Sequence, residues 1–120
     1  MTKESFVDDL VRECPEARPL VEEHLQDNGG ELLLHLVAAD VLRLAIAMFN
    51  SQETEALGRC LGVVATGLAD GDEYVQNAVS VSFVEDTPWW DEQMFPFIAV
   101  WPEVLQAEAK RFRLASDGGA

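Results

Sequence analysis

The sequence predicts an all-α fold, and three observations predict it. Apolar residues recur at three- and four-residue spacing along most of the chain instead of alternating. Glycines and prolines fall mainly between those periodic segments. Capping residues stand ahead of them, at Thr2, Ser51, Asp72 and Thr87. We expect six to seven helices in antiparallel pairs, forming a single domain over residues 1–115 with a flexible tail over 116–120. With 120 residues, 48% of them apolar, the chain suits one domain that buries roughly two-thirds of its unfolded surface without a metal or disulfide.

Thr2 caps a first helix that runs to about Cys14, with Phe6, Val7, Leu10, Val11 and Cys14 as its apolar stripe, and Pro15 ends it. A second, over about Glu16 to Asp27, shows Leu20, Val21 and Leu25 on one face and stops at Asn28-Gly29-Gly30. The third runs from about Glu31 to Asn50. Its apolar face (Leu32, Leu33, Leu36, Val37, Val41, Leu44, Ala45, Met48) is wide enough to need neighbours on two sides. Ser51 caps the fourth, about Gln52 to Ala69. In it Gly58, Gly62 and Ala65 form a row of small residues that allows another helix to approach.

Asp72 caps the fifth helix, which reaches Asp86 with Val75, Ala78, Val79 and Phe83 inward and Tyr74, Val81 and Val84 on the flank. Thr87-Pro88 has the form of an N-cap followed by proline at the first helical position, so a short helix is expected from Trp89 to about Phe97. Pro96 and Pro102 then bend or divide the segment. The last helix begins near Pro102 and ends at about Leu114, with Lys110, Arg111 and Arg113 in its last turns, where they complement the dipole.

The segment Leu68 to Phe83 resembles the second half of a HEAT-type helical repeat. Asp72 takes the place of the capping aspartate, Val75 follows three residues later and Ala78 three after that, while Leu57, Leu61, Val64 and Leu68 supply the preceding helix. The chain departs from the repeat at Gln76, where arginine is usual. The resemblance implies a right-handed stack of helix pairs, with an irregular helical bundle as the alternative. In a stack, Glu73, Gln76, Asn77 and Ser80 would line a concave, partner-binding face. The phrase Val81-Ser82-Phe83-Val84-Glu85-Asp86, with a Trp- and Pro-containing helix after it, also resembles small acidic bacterial helical proteins. These are similar in size and charge to the immunity partners of polymorphic toxins.

Charge narrows the function further. The net charge is −14. From Arg59 to Lys110 there is no basic residue, yet the stretch carries Asp70, Asp72, Glu73, Glu85, Asp86, Asp91, Glu92, Glu103 and Glu108. Such a surface repels nucleic acid and anionic membrane and attracts basic partners. The stretch from Leu32 to Met48 is too short and too charged to span a bilayer. Met1-Thr2-Lys3-Glu4 leads directly into an amphipathic segment, and Cys14 and Cys60 read as buried reduced thiols, so a cytoplasmic protein is expected.

Chemistry is sparse. His24 and His35, the only histidines, read as surface or supporting residues, because they and the two cysteines have no metal-ligand spacing. Ser80 and Ser82 have no histidine nearby in sequence. Asp70-Gly71-Asp72-Glu73 lacks the twelve-residue calcium pattern. No catalytic residue, cofactor or metal is expected, and the protein reads as a non-enzyme. The best candidate surface is Glu85-Asp86-Thr87-Pro88-Trp89-Trp90-Asp91-Glu92. Its adjacent tryptophans would point about 100° apart on a helix, so one packs inward while the other stays available.

The expected function is a protein-binding module of the immunity or inhibitor type. Its expected contacts are Glu73, Asn77, Glu85, Asp86, Trp90, Asp91 and Glu92, against a basic partner such as a toxin domain. The alternative is an oligomeric scaffold whose acidity serves only solubility and whose homodimer interface is the Gly58/Gly62 groove.

Overall fold

The computed structural model describes residues 1–118, with side chains over 1–113. Within that span the protein has seven α-helices and no strand: α1 (Lys3–Glu13), α2 (Arg18–Asp27), α3 (Leu34–Asn50), α4 (Thr54–Asp70), α5 (Glu73–Val79), α6 (Phe95–Ala99) and α7 (Glu103–Gly118). The all-α expectation is met. No helix among the described residues is long and apolar enough to cross a membrane. The last helix continues past Leu114, so Lys110, Arg111 and Arg113 lie in its middle turns, not at its end. Gly119 and Ala120, the end of the expected tail, lie outside the described residues.

Thr2 closes a capping box on α1: its hydroxyl accepts from the Ser5 N–H, and the Ser5 hydroxyl accepts from the Thr2 N–H. Phe6, Val7 and Leu10 are buried, as their spacing requires. Their seat is α4, where Gly67 permits the contact: a Cβ there would lie 2.6 Å from Cε2 of Phe6. The small-residue row thus acts differently from the expectation. Gly67 takes the close approach, while the Cβ positions of Gly58 and Gly62 face open space.

The α3 helix packs against α2, α4, α5 and the turn after α5, which is the many-sided contact its wide apolar face requires. It starts three residues later than expected, and Leu36, placed in its apolar stripe by sequence, is 51% exposed. Ser51 does not cap α4. It ends α3 by donating its N–H to the Ala47 carbonyl, and Gln52 turns the chain at φ 60° before Glu53 stands at the head of α4. The serine signal is ambiguous because either helix end could use it. The core joins Phe6, Leu10, Val37, Val41, Leu61, Val64, Val75, Phe83, Phe97, Trp101 and Leu105, so α1 and α3 to α7 all send buried side chains to one centre.

Candidate functional site

The α5 helix begins as the sequence indicates. Asp72 Oδ1 accepts from the Val75 N–H at 2.9 Å, and Val75, Ala78 and Val79 are buried. At Ser80 the hydrogen bonding widens to a π-turn over Ser80–Glu85, a rare form often found beside functional positions. Phe83 and Val84 remain buried through it.

Thr87 then decides the geometry. It is fully buried, and its hydroxyl donates to the Phe83 carbonyl at 2.7 Å. It therefore closes the preceding helical segment, and the helix expected from Trp89 does not start there. Pro88 comes next, with no N–H to continue the ladder. The Trp89 N–H turns back to the Thr87 carbonyl at 2.7 Å, and the Asp91 N–H to the Pro88 carbonyl at 3.0 Å. Both tryptophans consequently stand in a tight turn. Asp91 caps the next element: its Oδ1 accepts from the Gln93 N–H at 2.9 Å and starts a 3₁₀ turn over Glu92–Met94 that leads into α6.

That turn separates the two indoles. Trp89 is half-buried and Trp90 is 72% exposed, with ring centroids 6.3 Å apart and planes 71° to one another. Glu85, Asp86, Asp91 and Glu92 flank Trp90 in the chain, and all four are exposed. Glu73 and Asn77 are exposed as well, but at the opposite end of the α5 segment. Twelve residues of helical rise place Glu73 up to about 18 Å from Glu85 along the axis. The seven residues singled out by sequence thus divide into an exposed acidic segment around Trp90 in the chain and a smaller group toward the start of α5. Ser80, expected on the same polar face as Glu73, donates to Glu108 Oε2 of α7 at 2.7 Å, so α7 covers that end of the face.

The ion pairs among the described residues leave the Trp90 surface uncompensated. Arg12 pairs with Asp9 and Glu13, Arg43 with Asp40, Arg59 with Glu16 and Arg111 with Glu108. Of the nine carboxylates between Arg59 and Lys110, Glu108 alone appears in that set. Glu85, Asp86 and Glu92 therefore present their charge to solvent, where it acts over about a Debye length, ~8–10 Å at physiological salt.

A family model described as a domain of unknown function, DUF7674, matches residues 7–114. The chain belongs to the DUF7674 family. The match runs from Val7 in α1 into α7 and includes the whole Trp89–Trp90 turn. No curated protein and no solved structure matches the chain.

The DUF7674 fold also makes contacts that sequence distance conceals. His35 Nδ1 lies 2.9 Å from Ser82 Oγ, although 47 positions separate them. The His35 ring stands edge-on to Tyr74 at 5.7 Å, and the Tyr74 hydroxyl accepts from the Leu34 N–H at 3.2 Å. A serine bonded to a histidine is the core of a nucleophile–base pair, which further requires a group that orients the base. Among the described residues no carboxylate bonds the other nitrogen of His35, and the contact fastens α3 to the π-turn. His24 is buried. Its Nε2 accepts from the Leu33 N–H at 3.0 Å, so the imidazole holds the lead-in to α3. No group of three or more metal-binding side chains occurs among the described residues.

Two of the grooves on the DUF7674 surface have largely apolar linings. One, of about 470 Å³, is lined by Met48, Phe49, Leu57, Leu61 and Val100 beside Gly58. The other, of about 570 Å³, runs between α6 and α7 and is lined by Trp89, Phe95, Ile98, Ala109, Lys110 and Arg113, among others.

Proposed function

We propose that this DUF7674 domain is a non-enzymatic protein-binding module that engages a basic partner and acts by occlusion, as an inhibitor or immunity protein does. The observation that carries the reading is Trp90, 72% exposed in a turn bordered by Glu85, Asp86, Asp91 and Glu92. Exposing an indole to water is unfavourable unless another surface covers it, and tryptophan is over-represented among interface anchors. A guanidinium can stack on the indole face while carboxylates bind its edge. The surrounding charge would raise the association rate of a basic partner. Glu73 and Asn77 would form a second, weaker contact at the far end of α5. The reading places the protein in the cytoplasm, where the buried Cys14 and Cys60 stay reduced.

The HEAT-like element of the proposal rests on Asp72, Val75 and Ala78, which cap and bury as that repeat requires. The seven-residue α5 and the π-turn after it depart from a regular repeat. The test is the salt dependence of the complex with the native partner. The affinity weakens steeply as salt rises; an affinity indifferent to salt refutes the proposal.

A second reading is favoured by one observation. Gly58 and Gly62 face open space beside the apolar groove of Met48, Phe49 and Val100, a surface on which the α4 helix of a second copy could pack closely. Sedimentation at micromolar concentration distinguishes the two readings, since a stable dimer that buries these glycines favours the scaffold.

A further inference from the structure

The groove between α6 and α7 has a character opposite to that of the rest of the molecule. The chain carries 22 acidic and 8 basic residues. Yet the lining of this groove holds two cations, Lys110 and Arg113, against one carboxylate, Glu103. Neither cation pairs with an acid among the described residues: Arg111 takes Glu108, whereas Arg113 stands over the Phe95 ring at 5.9 Å. Glu103, Lys110 and Arg113 are seven and three residues apart along one helix, so the groove follows α7 for about 15 Å, with its acid at one end and its cations at the other.

The opposite wall is apolar. Phe95, 45% exposed, and Ile98 come from α6, and Trp89 comes from the turn before it. The volume, about 570 Å³, falls in the range of small-molecule sites, which are mostly apolar with a few fixed polar groups. Trp89 adds a further feature. Its Nε1, like that of Trp101, is shut away from solvent, so the indole meets the groove through its carbon atoms.

We infer that this groove binds an amphipathic monocarboxylate, with the carboxylate held by Lys110 and Arg113 and the apolar body laid along Trp89, Phe95 and Ile98. Charge decides the class of ligand. A cation would meet Lys110 and Arg113 and be repelled, and a polyanion would meet the strongly negative field of the remaining surface. A single carboxylate gains a bidentate partner in Arg113, while the apolar body supplies most of the binding. Glu103 sets the direction by repelling the carboxylate from its own end. The site uses none of the residues assigned to the partner surface, so either assignment can fail without the other.

The test is titration of ¹⁵N-labelled protein with decanoate, read at the Trp89 indole resonance and by calorimetry, with decan-1-ol and decyltrimethylammonium as the neutral and cationic probes. Trp89→Phe assigns the resonance. Saturable decanoate binding that shifts Trp89, with the cationic probe at least about tenfold weaker, supports the site. The doubly neutralised variant Lys110→Gln/Arg113→Gln changes two exposed side chains and should retain the fold, checked by circular dichroism. It should bind decanoate about tenfold more weakly and decan-1-ol unchanged. Failure of decanoate to saturate overturns the inference. So do equal binding by wild type and variant, or shifts confined to the Met48–Val100 groove.

Discussion

The Thr87 hydroxyl donates to the Phe83 carbonyl across 2.7 Å in a fully buried position, and this single bond places Trp90 in water. It satisfies a carbonyl at the end of the π-turn, holds the chain at the entry to Pro88 and so forces both tryptophans into a turn. Thr87→Val keeps the shape and removes the donor. The Phe83 carbonyl is then buried without this partner, and the variant should lose about 1–3 kcal/mol of stability in urea denaturation. Thr87→Ser, which keeps the hydroxyl, should lose less. Equal losses in the two variants would mean that the methyl group, not the bond, matters.

The glycines of α4 should separate sharply. At Gly67 a Cβ would meet Phe6, so Gly67→Ala should destabilise the protein by about 1–3 kcal/mol through overpacking. Gly58→Ala and Gly62→Ala have open space and should each stabilise a monomer by up to about 1 kcal/mol through helix propensity. Thermal melts of the three variants check this. A loss at Gly58 or Gly62 would instead indicate that these positions are covered by a second copy.

The buried thiols give a pH dependence with a definite sign. Cys60 is raised above its ordinary value of 9.0, first by its interaction with the Cys14 thiol and then by burial, while the same interaction lowers Cys14. A raised group contributes stability that is complete below the unfolded value and is lost as pH climbs beyond it. The Cys14 contribution runs the other way: it is present above 9.0 and lost as pH falls. Above pH 9.0 the Cys60 effect therefore governs, and stability should decline by up to ~1.4 kcal/mol per pH unit. Urea denaturation of wild type and Cys60→Ala between pH 8 and 10 checks this, with the slope flattened in the variant. Parallel curves would contradict it.

The His24 side chain supports the start of α3 through the Leu33 N–H. His24→Ala should destabilise the protein by about 1–3 kcal/mol, because that N–H loses its acceptor. Hydrogen exchange should quicken at Leu33 and at the first turn of α3 and stay unchanged in α7. A uniform change across the chain would assign the effect to core volume alone.

The parts of this fold legible in the sequence are those in which one local signal has one meaning. Asp72 with Val75 and Ala78 after it can only begin a helix, and Thr2 with Ser5 likewise. Thr87 misleads because its hydroxyl can serve either end of a helix, and Ser51 because the chain uses only its backbone N–H, to end α3. Only tertiary burial shows that Thr87 turns back to Phe83 and that Ser51 ends α3. The acidity around Trp90 is visible in composition, but not which indole is exposed, since that depends on a turn and not on a helical angle. The grouping of Lys110 and Arg113 with Trp89 and Phe95 is hidden for another reason. Their position late in the chain invites a reading against the helix dipole, whereas α7 continues past them and carries them over α6. His35 and Ser82 lie too far apart in sequence for any local pattern to join them.

If the acidic Trp90 surface holds a basic protein, reversing its charge must release that protein. The decisive experiment is a pull-down from native lysate at low salt, with wild type beside a variant carrying Glu85→Lys, Asp86→Lys, Asp91→Lys and Glu92→Lys. A basic protein retained by the wild type and lost by the variant is the expected outcome, and it would identify partner and site together. Equal recovery by both, or recovery by neither, would refute the binding role and assign the acidity to solubility.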